Sequence, residues 1–304
     1  MSQKFIRLCA IAFFIVLLLT TGCSSPAAPG NITDDLGRNI QIESIPGRIV
    51  SLAPSNTEIL FALGLGEKVV GVTDYCNFPD EAQEKPSIGG FSTVNIEAVV
   101  ALEPDLILAT DRHSKTVIPA LENLGYTVVA LSPETLDGVI ESIDFAGEIT
   151  GTQKEASQLT GSLQSRIDSV TSKTGDIEQD GKPRVLYLTW HDPLMTAGTG
   201  TLAYDVITTA GGINIAGDIS GDNTISLETV IDRNPQIIVA SVGMGSGEDL
   251  PWQYVQTEER LKTTDALKTG QVYKINGDLI HRAGPRIVDA LEIMAQFFHP
   301  ELFK

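Results

Sequence analysis

Asn95-Ile96-Glu97-Ala98-Val99-Val100-Ala101-Leu102-Glu103-Pro104-Asp105-Leu106-Ile107-Leu108-Ala109 reads as a helix, a proline-marked turn and a strand. Asn95 is a natural N-cap, Pro104 cannot continue a helix, and the aliphatic run that follows suits a strand buried on both faces. Sliding the sequence on itself by 131 residues lays this unit over a second one. Ser226 falls on Asn95, Leu227-Glu228-Thr229-Val230-Ile231 on the helix, Pro235 on Pro104, and Gln236-Ile237-Ile238-Val239-Ala240 on the strand without a gap. Two copies of one supersecondary unit predict two similar lobes. Independent convergence of two common helix-proline-strand junctions is the competing account.

Between the copies, Ala156, Leu159, Leu163, Ile167 and Val170 recur at spacings of 3, 4, 4 and 3, the pattern of one helical face. A helix over 152–174 would run ~30 Å, enough to cross between lobes. On the N-terminal side, Arg48-Ile49-Val50-Ser51-Leu52-Ala53 reads as a strand. Pro54-Ser55-Asn56-Thr57 then caps a helix over 58–63, and Val69-Val70-Gly71-Val72 is a second strand ending at Thr73-Asp74-Tyr75. On the C-terminal side, Arg184-Val185-Leu186-Tyr187-Leu188 restarts strand chemistry and a helix over 286–298 closes the chain. Alternating strands and helices predict parallel sheets, so the expected fold is α/β, with two Rossmann-like lobes joined by a single long helix.

The first residues carry an address. Lys4 and Arg7 precede an apolar stretch from Leu8 to Leu19, and Thr20-Thr21-Gly22-Cys23 follows. This is the pattern of a secretory signal. It resembles a lipoprotein signal, which implies cleavage before Cys23, a lipid on its thiol and a Ser/Pro/Ala/Gly tether behind it. The expected organisation is therefore a signal peptide over 1–22, a tether over 23–31, a first lobe over 32–151, the interlobe helix over 152–179 and a second lobe over 180–304. An uncleaved anchor is the alternative, and either places the protein on the outer face of a membrane. The 304 residues carry a net charge of -18, and losing Lys4 and Arg7 with residues 1–22 takes this to -20. So acidic a chain, with no basic stripe, is a poor partner for nucleic acid. No apolar run beyond residue 20 approaches the ~18 residues that cross a bilayer, which excludes a multi-span transporter. With Cys9 in the signal and Cys23 at the lipid site, Cys76 stands alone, as a buried small side chain or a thiol beside a ligand.

Taken together, several segments resemble the cobalamin and iron-siderophore binding proteins of ABC importers. They are Arg48 to Glu58, Val69 to Pro79, Gly89-Gly90-Phe91, Asn95 to Ala109, Ala210-Gly211-Gly212-Ile213-Asn214, Ser226 to Ala240 and Arg282-Ala283-Gly284-Pro285-Arg286. The resemblance spans nearly the whole chain from Ile32. It implies two lobes with a shallow cleft and little hinge motion, a monomer that carries a bound metal chelate, and partners in a membrane permease dimer with its ATPase subunits. Glu97 and Glu228 match the glutamates that project from the lobe tips into permease arginine pockets; the plainer reading is a carboxylate favoured at a helix N-terminus. Tyr75, Phe91 and Trp190 match aromatic positions around the corrin, where flat side chains give contact area to a planar macrocycle. Phe91 reads equally as core. Asp278 and Arg282 match polar cleft positions, or form a salt bridge at helical spacing. Leu279-Ile280 replaces the aromatics some relatives have there, and Trp252, beyond the Gly-rich stretch 243–251, is a candidate to compensate.

Other function classes find less support. His113, His191 and His281 all follow expected strand ends and would suit a metal or a haem axial site, yet none has the local spacing of a metal motif. A metal is expected to arrive inside its chelator, with no resident cofactor. Gly-x-Ser-x-Gly and the P-loop are absent, and Gly243-Met244-Gly245-Ser246-Gly247 lacks the strand-to-helix setting of a dinucleotide fingerprint. A scaffold using the same fold would show no saturable small ligand. The sequence therefore points to an extracytoplasmic binding protein for cobalamin, with ferric siderophore or haem as the alternative ligand, and not to an enzyme.

Overall fold

The computed structural model describes residues 30–243 and 249–304. The expected signal peptide, Cys23 and nearly all of the expected tether lie outside the described residues. A hairpin of β1 (Gly30–Thr33) and β2 (Asn39–Ile42) opens the first lobe. There follow β3 (Ile49–Ser51), α1 (Pro54–Ala62), β4 (Val69–Gly71), α2 (Ile96–Ala101), β5 (Leu106–Ala109), α3 (Val117–Asn123), β6 (Val128–Ala130) and α4 (Leu136–Thr150). The strands pair in the order β4-β3-β5-β6, all parallel. Every residue of β3, β5 and β6 is buried, which is why they read as unbroken apolar runs.

The spacing that predicts a helix over 152–174 corresponds to α5, Gln153–Thr174. Ala156, Leu163, Ile167 and Val170 are buried, and Leu159 packs against them half-buried. The second lobe contains β7 (Arg184–His191), β8 (Leu194–Ala197), α6 (Leu202–Thr209), β9 (Ile213–Asn214), β10 (Asp222–Thr224), α7 (Leu227–Arg233) and β11 (Ile237–Val242). It ends with α8 (Leu250–Thr257), α9 (Asp265–Thr269), β12 (Val272–Asn276), α10 (Gly277–His281) and α11 (Ile287–Phe298). Its sheet runs β10-β8-β7-β11-β12, with β9 on the same side of β7 as β8. Helix α5 packs on α4 of the first lobe and on α6 and α11 of the second. Arg166 on α5 donates to Asp289 at 2.6 Å and to Glu292 at 2.6 and 2.9 Å, tying α5 to α11.

The repeated unit folds alike in both lobes. Asn95 Oδ1 accepts the Ala98 amide at 3.1 Å and Ser226 Oγ accepts that of Thr229 at 3.0 Å, each starting a short helix that leads into a central strand. Each sheet presents one face to an apolar cluster of its own, around Ile107 in the first lobe and Ile238 in the second. The other faces share a third cluster that runs through α1, α4, α5, α6, α10 and α11. One continuous core across both lobes favours a fixed mutual orientation. Asp205 of α6, whose carboxyl burial pushes up, adds a bond at this junction by accepting the Leu136 amide at 2.7 Å.

Two local expectations are corrected. Helix α1 begins at Pro54 instead of residue 58, because proline suits a first helical turn. Asn56 and Thr57 are consequently inside it: Asn56 Nδ2 donates to the Ala109 carbonyl at 2.9 Å and the Thr57 hydroxyl to Ser51 Oγ at 2.8 Å. Strand β7 continues to His191, since β8 turns back to pair with it, so Trp190 lies in the strand and not after it.

Candidate functional site

Strand β4 ends at Gly71, and Val72 bridges to Ser87. The Asp74 amide donates to the Gly89 carbonyl at 2.9 Å, leaving Tyr75 at the carboxyl edge of the sheet with 56% of its surface exposed. Gly89 has φ of +89°, and a Cβ there would sit 2.8 Å from the Thr93 carbonyl oxygen. Only glycine allows this tight return, which brings Phe91, Ser92 and Thr93 beside Tyr75. His113 fixes it from below. Its Nδ1 accepts the Thr110 amide at 3.1 Å, so Nε2 carries the proton and donates to the Phe91 carbonyl at 2.9 Å. The two rings meet edge to face with centroids 5.3 Å apart.

The opposite wall comes from the second lobe. Strand β12 ends at Asn276, whose side-chain oxygen accepts the Asp278 amide at 2.9 Å and starts α10. Asp278, His281 and Arg282 thereby face Tyr75, Phe91 and the first turn of α1 across a cavity of about 520 Å³. The cleft thus lies at the carboxyl ends of strands from both sheets, where open parallel sheets bind ligands. Aromatic faces on one side and a carboxylate, an imidazole and a guanidinium on the other can hold a large ligand with a planar body and polar edges.

Arg282 is only partly available to such a ligand. It pairs with Asp278 at 2.7 Å, the helical salt bridge the spacing allows, and also lines the cavity. The same side chain donates to Glu58 at 3.1 Å, Asn77 Oδ1 at 2.8 Å and the Tyr75 carbonyl at 3.2 Å. Glu58, Asn77 and Arg286 escape the sequence reading as functional residues. A lone glutamate just ahead of Ile59-Leu60-Phe61 was the available signal, but its partners lie more than 200 positions away.

Phe91 is half-exposed and lines the cavity wall. Trp190 and Trp252 lie outside the described lining of the cavity. The indole N–H of Trp190 donates to the Asp192 carbonyl at 3.0 Å, and its ring leans on His191 with centroids 5.0 Å apart. Trp252 on α8 carries Lys274 Nζ over its ring at 4.9 Å. Both belong to the second lobe, with Trp190 at the carboxyl end of β7, the sheet edge from which α10 departs.

The three histidines do not share partners. His113 is buried, with both ring nitrogens engaged and its pKa lowered by burial. His281 lines the cavity and shares a 2.8 Å hydrogen bond between Nε2 and the Tyr187 hydroxyl. Burial lowers the His281 pKa and raises that of Tyr187. His191 Nδ1 is buried with no hydrogen-bond partner among the described residues. Among the described residues no cluster of three His, Cys, Asp or Glu side chains is placed to hold a metal ion. Cys76 is a buried free thiol in contact with the Thr57 and Thr73 hydroxyls at 3.1 and 3.2 Å, and burial pushes its pKa up.

Glu97 and Glu228 are both exposed in the first turn of their helices, α2 and α7. Glu97 has no ion-pair partner among the described residues. Glu228 sits 3.7 Å from Arg260, itself held by Glu258 at 2.9 Å.

Known proteins share this design. The chain is 31% identical to an uncharacterized ABC transporter substrate-binding lipoprotein of Bacillus subtilis, over 96% of this chain and 97% of that one. It is 29% identical to a cobalamin-binding protein of Halobacterium salinarum, over 97% and 85% of the two chains. Its fold matches a periplasmic heme-binding protein from Roseiflexus with a TM-score of 0.72 at 25% identity, covering 84% of this chain and 98% of the other. The family model of the periplasmic binding proteins matches residues 49–279, which takes in both sheets, α5 and the start of α10. Two α/β lobes facing each other across one cleft are thus a shared inheritance, and the chain belongs to the periplasmic binding protein family.

Proposed function

We propose that this protein captures cobalamin, or a closely related corrinoid, between its two lobes and delivers it to the membrane permease of an ABC importer. The chain is an importer substrate-binding protein of the type that serves vitamin B12, siderophores and haem, and its place is extracytoplasmic. The observation that carries the ligand reading is the cavity itself, with Tyr75 and Phe91 opposite Asp278 and Arg282. A corrin with its side chains exceeds about 520 Å³, so much of it would rest on the rim. Trp190 and Trp252 are proposed to meet it there. The likeness to a cobalamin-binding relative supports this choice.

Delivery rests on Glu97 and Glu228, proposed to dock the loaded protein on the two permease subunits, with the ATPase subunits behind them. Interface charges of this kind set orientation and encounter rate. The protein would act as a monomer, tethered through lipid on Cys23, and turn over no substrate. A ferric siderophore or haem is the second reading, favoured by the His281 imidazole in the cavity wall and by the haem-binding structural relative. Calorimetric titration with cyanocobalamin, beside haem and a panel of ferric siderophores, tests the choice. Saturable one-to-one binding of cyanocobalamin is expected. Heat from a ferric chelate and none from cobalamin would transfer the site to the second reading.

A further inference from the structure

We propose that Glu58 is a positioning residue for the ligand cavity, a buried carboxylate that holds the two walls in register by clasping Arg282 and Arg286 of the opposite lobe. The inference rests on the cavity being the ligand site. Glu58 lies on α1 in the first lobe, and its side chain is 2% exposed. It accepts from Arg286 Nε at 2.9 Å and Nη2 at 2.6 Å, and from Arg282 Nη1 at 3.1 Å. Both arginines follow α10; Arg282 lines the opposite wall of the cavity, and Arg286 lies four residues beyond it, outside the lining. Arg282 carries the link onward to Asn77 and the Tyr75 carbonyl, so the loop that presents Tyr75 is fixed to the second lobe. Asn77 Nδ2 closes the ring by donating to Asp278 Oδ2 at 3.2 Å. Arg286 also stacks on Phe78, 3.9 Å from its ring centroid, gripping the same loop from its far side.

The backbone is built to allow this approach. Gly284 lies between the two arginines, and a Cβ there would already touch Glu58 Oε2 and the Ser55 carbonyl at 3.4 Å. Glu58 and Asp278 balance Arg282 and Arg286, so the ring is neutral while complete. A buried ionic cluster adds little net stability but penalises any arrangement that leaves one member unpaired, and here such an arrangement is a displaced lobe or loop. The strong Glu58 contact also holds the Arg286 pKa up. Glu58 thus acts through Arg282, and Arg282 spends much of its donor capacity holding Tyr75 and Asn77 in place.

Hydrogen exchange on the ligand-free protein reads this directly, with Glu58→Gln and Asn77→Ala as variants. In Glu58→Gln, amides of 75–78 and 277–282 should exchange at least tenfold faster while those of β5 and β11 stay unchanged. Asn77 is exposed, so Asn77→Ala keeps the test open if the first variant folds poorly. It should loosen 75–78 alone. Titration with cyanocobalamin, hemin and a ferric siderophore forms the second arm: whichever binds the wild type should bind Glu58→Gln about tenfold more weakly, with Glu58→Asp recovering part of the loss. Unchanged exchange in both segments, or exchange raised equally throughout the first lobe, would overturn the positioning role. Failure of all three ligands on the wild type would count against the ligand reading while leaving the exchange result to decide the clasp.

Discussion

The two lobes carry four parallel strands in one shared order, β4-β3-β5-β6 in the first and β9-β7-β11-β12 in the second, but only the second adds the antiparallel β8 and β10. What is common sets the frame: the repeated helix and strand put Ile107 and Ile238 at matching points of two outer cores and Glu97 and Glu228 at matching exposed tips. What differs shapes the cavity between them. The first lobe spends the segment after β4 on Tyr75 and Phe91, whereas the second places α10 at the end of β12 and supplies Asp278, His281 and Arg282. Even the tips are unequal, because Arg260 shadows Glu228 and no basic side chain pairs with Glu97 among the described residues.

The sharpest way to break the symmetry is at those tips. Glu97→Ala and Glu228→Ala should each stop uptake in cells that depend on this protein, with ligand affinity within about twofold of wild type by titration. Uptake that survives only Glu228→Ala would show that Arg260 has taken that tip out of docking. A large fall in affinity would assign the glutamates to ligand binding instead.

Next in size are the cores. Ile107→Ala and Ile238→Ala remove fully buried side chains from equivalent strands, and each should cost ~2–5 kcal/mol in denaturant unfolding. Similar losses would support energetic equivalence of the lobes. A cost in only one would confine the likeness to topology.

The smallest effect is a pH dependence to which each lobe contributes one imidazole. Burial lowers the pKa of both His113 and His281 below the ordinary 6.5, so the folded state favours their neutral forms. Their contribution is present above pH 6.5 and is lost as the pH falls below that value, because the unfolded chain binds protons first. Melting temperature should therefore drop on acidification through this range, and replacing either histidine with Gln should flatten the slope. A slope unchanged in both variants would contradict the assignment.

How much of this is written locally explains which parts the sequence reveals. The repeat at 131 residues, the apolar face of α5 and the capping residues Asn95 and Ser226 are short-range patterns, and each corresponds to a structural element. Tyr75 and Asp278 were reachable through resemblance to a family. The clasp was not, because Glu58 and Arg286 meet only after two lobes fold and pack. Helix α1 shows the same limit on a smaller scale: Asn56 and Thr57 have capping chemistry, yet the sheet beneath recruits their side chains. The run Arg184 to Leu188 predicts a strand that stops short of Trp190, and the β8 pairing extends it to His191, since a hairpin partner leaves no mark on the residues of β7 themselves.

The most direct test of the account is calorimetric titration of cyanocobalamin into the wild type, Tyr75→Ala and Trp190→Ala. These residues stand on opposite lobes, one at the cavity and one at its proposed rim. The account predicts one-to-one binding that each substitution weakens about tenfold, or ~1.4 kcal/mol. Wild-type affinity in both variants would contradict a ligand held between the lobes.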